Sequence, residues 1–306
     1  MRLSSLASRN LVTLSPDDSL DTAISLMEEH DVHHLPVLEE GRPVGVVSDR
    51  DLLLSVGWTL SGARHVAEHP ATENVVAAGG RKQAASSSAA DAGNQLVGPA
   101  NVREVMSTPV ITVMQDGTAL EAARLMLEHK ISCLVLVRKS TAVGIVTKVD
   151  LLSYVRDLPS TDRRMEYFRE AAERHMRAAV TTVRPKDTVP ELAKIMSDKS
   201  IHHLPVATDG CLLGMVSDRD IRRAIGKEIV ADAIAEASGQ MQVWKTCAFE
   251  IMQKELKTIT RDTRLDAAAR IMADEHIGSL PVVEADQLIG ILTESDIIKI
   301  LARVDA

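Results

Sequence analysis

A seven-residue pattern occurs four times in this chain and restricts its fold more than any other feature. Each copy has a glycine, two apolar residues, a serine or threonine and, three positions after that hydroxyl, an aspartate; the copies begin at Gly45, Gly144, Gly214 and Gly290. Such a sequence is typical of a buried strand that runs into the N-terminus of a helix. The chain is therefore predicted to contain four similar strand-to-helix corners.

Each corner allows two interpretations. Backbone N–H groups and the positive end of the helix dipole favour a phosphate there, and a carboxylate one turn further along can accept hydrogen bonds from two ribose hydroxyls. The hydroxyl and the acid also resemble a capping box, which needs no ligand. The glycine has no role in capping, and its small size lets a ligand or another backbone approach the strand.

The four copies form two related pairs. Repeats one and three match at a constant offset, which places His33-His34 and His202-His203 at equivalent positions, each followed by Leu-Pro-Val. Repeats two and four match at a second constant offset, as with Met106 and Met252. Because a pair was duplicated, the pair is predicted to be the structural unit.

Every repeat has the same predicted elements, which indicate a mixed α/β fold. A short apolar segment is followed by a helix, by two strands with a turn between them, and by a second helix that begins at the motif. Capping boxes mark the start of the first helix at Thr118–Glu121 and Thr188–Glu191. A weaker box stands at Thr263–Asp266, and in repeat one the helix is expected to begin near Ser19.

The predicted domain boundaries follow these repeats. The first linker includes a stretch rich in Ala, Ser and Gly that has too few large apolar residues to form a core. The second linker has the pattern of an amphipathic connecting helix, and the third is predicted to be helical. The repeats are expected at 1–57, 102–157, 173–226 and 248–306, and the linkers at 58–101, with a flexible loop over 77–100, at 158–172 and at 227–247.

Composition limits the class of protein. At 306 residues the chain is long enough for two domains of about 150 residues. Its 35 basic and 43 acidic residues give a net charge of −8, and the basic residues form no long cluster, so no nucleic-acid or membrane partner is expected. The three cysteines show no metal or redox spacing and no apolar run reaches the roughly 18 residues of a membrane span, so a soluble cytoplasmic protein is expected.

The four units resemble the CBS domain, named for cystathionine beta-synthase, whose tandem pairs are called Bateman modules. The resemblance rests on the Gly-apolar-apolar-Ser/Thr-x-x-Asp motif, the Leu-Pro-Val strand and the two helices, which appear in the same order four times. It implies β-α-β-β-α units, of which two pack about a pseudo-twofold axis and leave two clefts for adenosine-containing ligands. It also implies that the two modules join in a disc-like assembly.

The resemblance assigns site residues by position in the motif. It implies that the ribose is held by Asp51, Asp150, Asp220 and Asp296, with the hydroxyls of Ser48, Thr147, Ser217 and Thr293 beside them. It implies phosphate contacts from Arg50, Arg219 and Lys148, and an adenine framed by Thr13, Thr112, Thr182, Thr258, His34 and His203. Repeat four has Glu294 and Ser295 in place of the basic residues, which argues against strong phosphate binding there. A solvent-facing helix charge is the alternative for each arginine.

The paired histidines do not indicate a metal site. Neighbouring residues in a strand point to opposite faces, so the two rings of His33-His34, or of His202-His203, cannot easily share one ion. One histidine of each pair is expected to line the cleft and the other to pack against the sheet.

These features predict a non-catalytic sensor of adenine nucleotides. AMP, ADP or ATP, the last with magnesium, would bind in the clefts, and occupancy would be transmitted to an unidentified regulated protein. The chain has no nucleophile motif and no phosphate-binding GxxxxGK[ST] loop, so no enzyme activity is expected. The alternatives are a scaffold with no obligatory nucleotide, or a sensor of S-adenosylmethionine, NAD or a cyclic dinucleotide. The disc is expected to form within one chain or in a homodimer.

Overall fold

The computed structural model describes residues 2–8, 10–52, 101–224 and 245–304. The predicted loop over 77–100 and nearly all of the linkers predicted at 58–101 and 227–247 lie outside these ranges. Within the described helices, none is long and apolar enough to cross a membrane.

The described elements follow the repeated order predicted from the sequence. Repeat one contains α1 (Leu20–Glu29), β1 (His34–Glu39), β2 (Arg42–Ser48) and α2, described over 49–52, and repeat two contains β3 (Thr112–Met114), α3 (Ala119–Glu128), β4 (Cys133–Arg138), β5 (Thr141–Thr147) and α4 (Lys148–Arg156). Repeat three contains α5 (Val189–Lys199), β6 (His203–Thr208), β7 (Cys211–Ser217) and α6, described over 218–224, and repeat four contains α7 (Ala248–Ile251), α8 (Leu265–Glu275), β8 (Ser279–Glu284), β9 (Gln287–Thr293) and α9 (Glu294–Arg303).

The first helix of each repeat begins where a side chain satisfies its free N–H groups. Ser19 caps α1, and the predicted capping boxes at Thr118 and Thr188 are formed. The weaker box predicted at Thr263–Asp266 is not formed, because Thr263 accepts a hydrogen bond from the backbone N–H of Thr260 and Asp266 pairs with Arg264. Helix α8 therefore begins without a side-chain cap.

The four hairpins share one register. In repeat one, His34 of β1 lies opposite Ser48 and Val37 lies opposite the motif Gly45, with a bulge just after Val37. The same pairing and the same bulge recur in the other three hairpins. A segment from the start of each repeat runs parallel to the first hairpin strand, as Leu14 does beside Val37. This common register brings every motif to the same end of its hairpin.

Within each module, the two repeats exchange their first segments. Ser8 of repeat one pairs with Ile145 of repeat two, while Ser107, near the start of repeat two, pairs with Val46 of repeat one. The second module repeats this arrangement, with Arg177 against Ile291 and Gln253 against Met215. Each repeat thus completes the sheet of the other, and the pair is the folded unit.

The motif glycines admit the exchanged segments. A Cβ atom at Gly45 would lie 2.6 Å from Sδ of Met106, and one at Gly290 would lie 2.5 Å from Sδ of Met176. At Gly144 the nearest atom would be the carbonyl oxygen of Ser8, at 2.9 Å. Because real Cβ atoms do not approach heavy atoms so closely, a larger residue would force the neighbouring atoms to move. The sequence left two reasons for this glycine, the approach of a ligand or of another backbone segment. The structure shows the approach of another segment.

The connecting segment between the modules differs from its prediction. An amphipathic α-helix was expected at 158–172, but the structure has a 3-10 helix over Arg163–Arg169, followed by a short 3-10 turn over Ala172–Arg174. Met165 and Phe168, three residues apart, are both buried, which fits three residues per turn. Ala171, between these two 3-10 elements, forms a backbone bridge to Arg264 as part of the exchanged segment, so a continuous helix cannot run through it.

The two modules pack together within one chain. A single cluster of buried apolar residues runs through repeats two and four, where α4 packs against α8 and α9. Repeats one and three have separate cores and meet through charged side chains, including Arg222 of α6 with Asp49 and Glu28. The internal arrangement was one of the two alternatives left by the sequence.

Candidate functional site

All four motif aspartates cap the helix that they begin. One carboxylate oxygen, Oδ2, accepts hydrogen bonds from the backbone N–H and the hydroxyl of the motif serine or threonine three residues earlier. At Asp51 the two distances are 2.7 and 2.5 Å, and at Asp150 they are 2.7 and 2.8 Å. Asp220 and Asp296 make the same two contacts. The capping interpretation thus accounts for one oxygen of each acid.

The second carboxylate oxygen points toward the other repeat of the module in two corners. Oδ1 of Asp51 accepts a hydrogen bond from the hydroxyl of Ser107 at 3.1 Å, and Oδ1 of Asp220 accepts one from the side-chain amide of Gln253 at 3.0 Å. Oδ1 of Asp296 pairs instead with Lys299 of its own helix at 2.8 Å. Each of the first two acids therefore faces a cleft built by both repeats.

Burial shifts the pKa values of ionisable side chains at these corners. Desolvation raises the pKa of Asp51, although hydrogen bonds from Ser48 and Ser107 oppose it. The pKa of Asp150 is raised for the same reason, against hydrogen bonds from Thr147. Burial also raises the pKa of Cys133, which lies near Asp51, to about 12. The thiol of Cys133 therefore stays protonated beside the corner and is unreactive.

The basic residues predicted to contact phosphate have different surroundings. Arg219 of repeat three donates to Asp31 at 3.0 Å and contacts Nε2 of His33, both in repeat one. Arg50, at the equivalent position of repeat one, is half-buried and forms no ion pair with the other described residues. Lys148 reaches across to repeat four and donates to the hydroxyl of Ser295 at 2.9 Å.

The first histidine of each pair contacts an acid in its own repeat. Nδ1 of His33 lies 2.6 Å from Asp49, and Nδ1 of His202 lies 2.5 Å from Asp218. Since the guanidinium of Arg219 can only donate, Nε2 of His33 is an acceptor and its proton lies on Nδ1, toward Asp49. Burial raises the pKa of Asp49, but the hydrogen bond from His33 and the charge of Arg222 outweigh it and hold the pKa below its ordinary value.

The second histidine of each pair is held in the neutral form. Nε2 of His34 lies 2.7 Å from the hydroxyl of Ser132 in repeat two. Desolvation lowers the pKa of His34 and of His203 from 6.5 to about 4. Among the described residues, no group of three or more His, Cys, Asp or Glu side chains is arranged to hold a metal ion.

The threonines predicted to frame adenine lie at the start of each repeat. Thr13 and Thr112 are half-buried, whereas Thr182 and Thr258 are exposed. Thr182 lines a cavity of about 190 Å³ together with Ala207 of repeat three and Leu288 of repeat four. The structure therefore places Thr182 between the two repeats of the second module.

Several residues of these clefts were not identified from the sequence. They comprise two polar side chains of the exchanged segments, the serine beside His34, and the buried charges between repeats one and three: Ser107, Gln253, Ser132, Asp49 and Arg222. The recurrence of an acid directly after the motif serine in repeats one and three was a signal for Asp49. Ser107 and Gln253 follow from the exchange, and Ser132 and Arg222 follow from the packing of one repeat on another; no local pattern shows either.

Comparison with known families decides the identity of the fold. The family model described as CBS domain matches residues 3–57, 102–157, 171–227 and 248–303, which together make up more than half of the chain. The chain belongs to the CBS domain family. Its four CBS repeats form two Bateman modules, and proteins of this family are generally regulatory and not catalytic.

Two other proteins align with nearly the whole of this chain. The uncharacterized protein MJ1225 of Methanocaldococcus jannaschii is 22% identical over 302 residues, which is 96% of each chain. Its crystal structure, described as that of a proposed archaeal homologue of γ-AMPK, aligns with a TM-score of 0.77 over 98% of this CBS protein and 99% of MJ1225. A protein from Pyrococcus horikoshii aligns with a TM-score of 0.58 at 19% identity, over 98% and 100% of the two chains.

A shorter relative matches part of the chain. The CBS domain-containing protein YhcV of Bacillus subtilis is 30% identical over 122 residues, which is 40% of this chain and 79% of YhcV.

Proposed function

We propose that this CBS protein is a non-catalytic regulator that binds AMP, ADP or ATP in the clefts between paired repeats and transmits their occupancy to a partner protein. The proposal rests on the different contacts of the two carboxylate oxygens in the motif aspartates. One oxygen caps a helix, while at Asp51 and Asp220 the other accepts a hydrogen bond from the opposite repeat across a cleft. A ribose hydroxyl is a donor of the same kind as the Ser107 hydroxyl.

The charges near the first module support a phosphorylated ligand. Arg50 is half-buried and forms no ion pair within the described residues, and its charge acts against the rise that burial causes in the pKa of the neighbouring Asp51 carboxylate. A guanidinium in that state is suited to a phosphate, with which it forms paired charge-assisted hydrogen bonds. In this proposal Asp51 holds the ribose and Arg50 contacts the phosphate.

Substitution of Asp51 by asparagine separates ribose binding from capping. The amide oxygen of Asn retains the acceptor for Ser48, and its NH2 group can still donate to Ser107, but it can no longer accept from a ribose. We expect Asp51→Asn to weaken AMP binding roughly 10- to 150-fold, as expected for loss of a charged hydrogen bond of about 1.5 to 3 kcal/mol. Isothermal titration calorimetry with AMP, ADP and ATP measures this.

The control is Glu121→Gln, which alters the capping box of α3 in the same way away from the motif corner. We expect it to leave AMP affinity unchanged. Equal AMP affinity in Asp51→Asn and wild type would assign Asp51 to capping alone.

A scaffold function is the second candidate, because capping alone gives each of the four acids a structural role. A sensor must change its affinity for a partner when ligand binds. Capture of partners with and without AMP distinguishes the two, since a scaffold binds equally in both conditions. Titration with S-adenosylmethionine, NAD and a cyclic dinucleotide tests the other adenosyl ligands.

A further inference from the structure

Glu294 lies where Lys148 of repeat two meets repeat four, a region that we call the disc centre and define by Lys148, Glu294, Ser295 and His203. The Glu294 side chain is only 21% exposed, and that of Lys148 only 15%. Nζ of Lys148 lies 3.8 Å from Oε1 of Glu294 and donates to Ser295 at 2.9 Å. The lysine predicted to contact phosphate is therefore already paired with an anion of the protein.

The register of the hairpins explains why this carboxylate reaches the disc centre. In repeats one and three the residue after the motif hydroxyl is Asp49 or Asp218, and each contacts the histidine sixteen positions earlier. The backbone N–H of Glu294 donates to the equivalent residue of repeat four, which is Gly278. Because glycine offers no side-chain partner, the longer Glu294 extends across the modules.

A lysine and several histidine rings surround Glu294. A Cβ atom at Gly278 would lie 3.2 Å from Cε1 of His203 and 3.4 Å from Oε2 of Glu294, so this histidine and this carboxylate border the same gap. Burial raises the pKa of Glu294, while Lys148, His202 and His33 oppose the rise. An incoming phosphate would meet the same lysine and histidines, and it would also meet the Glu294 carboxylate.

We propose that Glu294 determines ligand specificity, because its carboxylate occupies the disc centre as the negative partner of Lys148. The adjoining clefts of repeats two and four therefore bind adenosine, which has no phosphate, in preference to AMP. This inference rests on the proposed function and specifies the ligand charge for these clefts. A phosphate placed beside Glu294 is repelled by it and finds Lys148 already neutralised. A neutral 5′ group meets no such repulsion.

Calorimetric titration of the full chain with adenosine and with AMP tests the inference. For the wild type we expect AMP to fill fewer clefts than adenosine. Glu294→Gln removes the charge and keeps the shape, so we expect its number of AMP sites to equal its number of adenosine sites and its weakest AMP affinity to rise about tenfold or more. Adenosine affinity should change less than about twofold, because adenosine carries no charge to be repelled.

Two further variants test whether the position of the removed charge and the release of Lys148 matter. Glu284→Gln removes an exposed carboxylate that pairs with Arg261, and it should leave both titrations as in the wild type. Adding Lys148→Gln to Glu294→Gln should reduce the gain in AMP binding, since part of the gain depends on a released lysine.

The outcomes separate this inference from the proposed function. If wild type and Glu294→Gln bind AMP with equal stoichiometry and affinity, Glu294 does not set the charge preference, and nucleotide binding itself stands. If neither AMP nor adenosine binds any variant, the proposed function is wrong and this inference with it. If Glu294→Gln is unstable, the single variant Lys148→Gln tests the inference. AMP binding equal to that of the wild type would support a Lys148 that is already neutralised by Glu294. Loss of AMP binding would overturn the inference.

Discussion

His34 and His203 are individual residues whose ionisation ties the fold to pH. Each has a pKa near its ordinary 6.5 when unfolded and about 4 when folded, because desolvation favours the neutral ring. Between these two pKa values the unfolded chain binds more protons than the folded chain. The stabilisation is therefore complete above about pH 6.5 and is lost as the pH falls toward 4. The pKa of Asp49 is lowered in the fold, and its contribution is also lost on acidification.

We expect the free energy of unfolding to fall by about 1 to 3 kcal/mol for each of these histidines between pH 7 and pH 4. Urea denaturation across this range measures the change. His203→Gln, which cannot gain a proton, should show a shallower loss than the wild type. An identical pH dependence in both proteins would contradict the neutral, desolvated state of His203.

At the scale of secondary-structure elements, the motif glycine controls how the exchanged segment packs on the hairpin. At Gly290 the nearest atoms to an added Cβ all belong to the side chain of Met176, which can move. At Gly214 an added Cβ would also lie 2.8 Å from the carbonyl oxygen of Gln253, which accepts a hydrogen bond from the backbone N–H of Met215. The second contact involves backbone that is fixed in the sheet.

We expect Gly214→Ala and Gly290→Ala each to destabilise the protein by about 1 to 3 kcal/mol through overpacking. A double-mutant cycle with the facing methionine distinguishes them. Gly290→Ala combined with Met176→Ala should show favourable coupling of about 1 kcal/mol or more. Gly214→Ala with Met252→Ala should show less, because the Gln253 carbonyl remains. Equal coupling in the two cycles, measured by chemical denaturation, would contradict the backbone contact at Gly214.

The elements also show how far local sequence patterns predict this fold. The hairpins, the second helices and the caps at Ser19, Thr118 and Thr188 were predicted, because each depends on residues close together in the chain. The segment 158–172 was predicted as a connecting helix, since its apolar spacing fits a helical period over a few turns. Long-range pairing of Ala171 with Arg264 ended the helix instead.

At the scale of the whole molecule, the two modules share part of their core. Residues of α4 and α8, which belong to different modules, lie in one buried apolar cluster, and Leu3 at the start of the chain belongs to it as well. Repeats one and three are joined differently, by ion pairs such as that between Arg222 and Asp49. Separation of the modules would expose the shared apolar surface to water, which is unfavourable.

The shared core should make the modules unfold together. We expect one calorimetric transition for the full chain, with equal calorimetric and van't Hoff enthalpies, because neither module keeps an intact core alone. Two separate transitions would show that each module is stable by itself. Self-association of the chain into a homodimer stays a separate prediction, which sedimentation measures.

The sequence by itself determined the four repeats, their pairing into modules and the identity of the motif residues, because these depend on local spacing and on duplication. Only the tertiary structure decided that the glycines admit a neighbouring segment, that Arg219 crosses to His33, and that Glu294 pairs with Lys148. Each of these contacts joins residues of different repeats. A pattern within one repeat specifies its own helix and strands, but it carries no information about which charge the opposite repeat brings to the cleft.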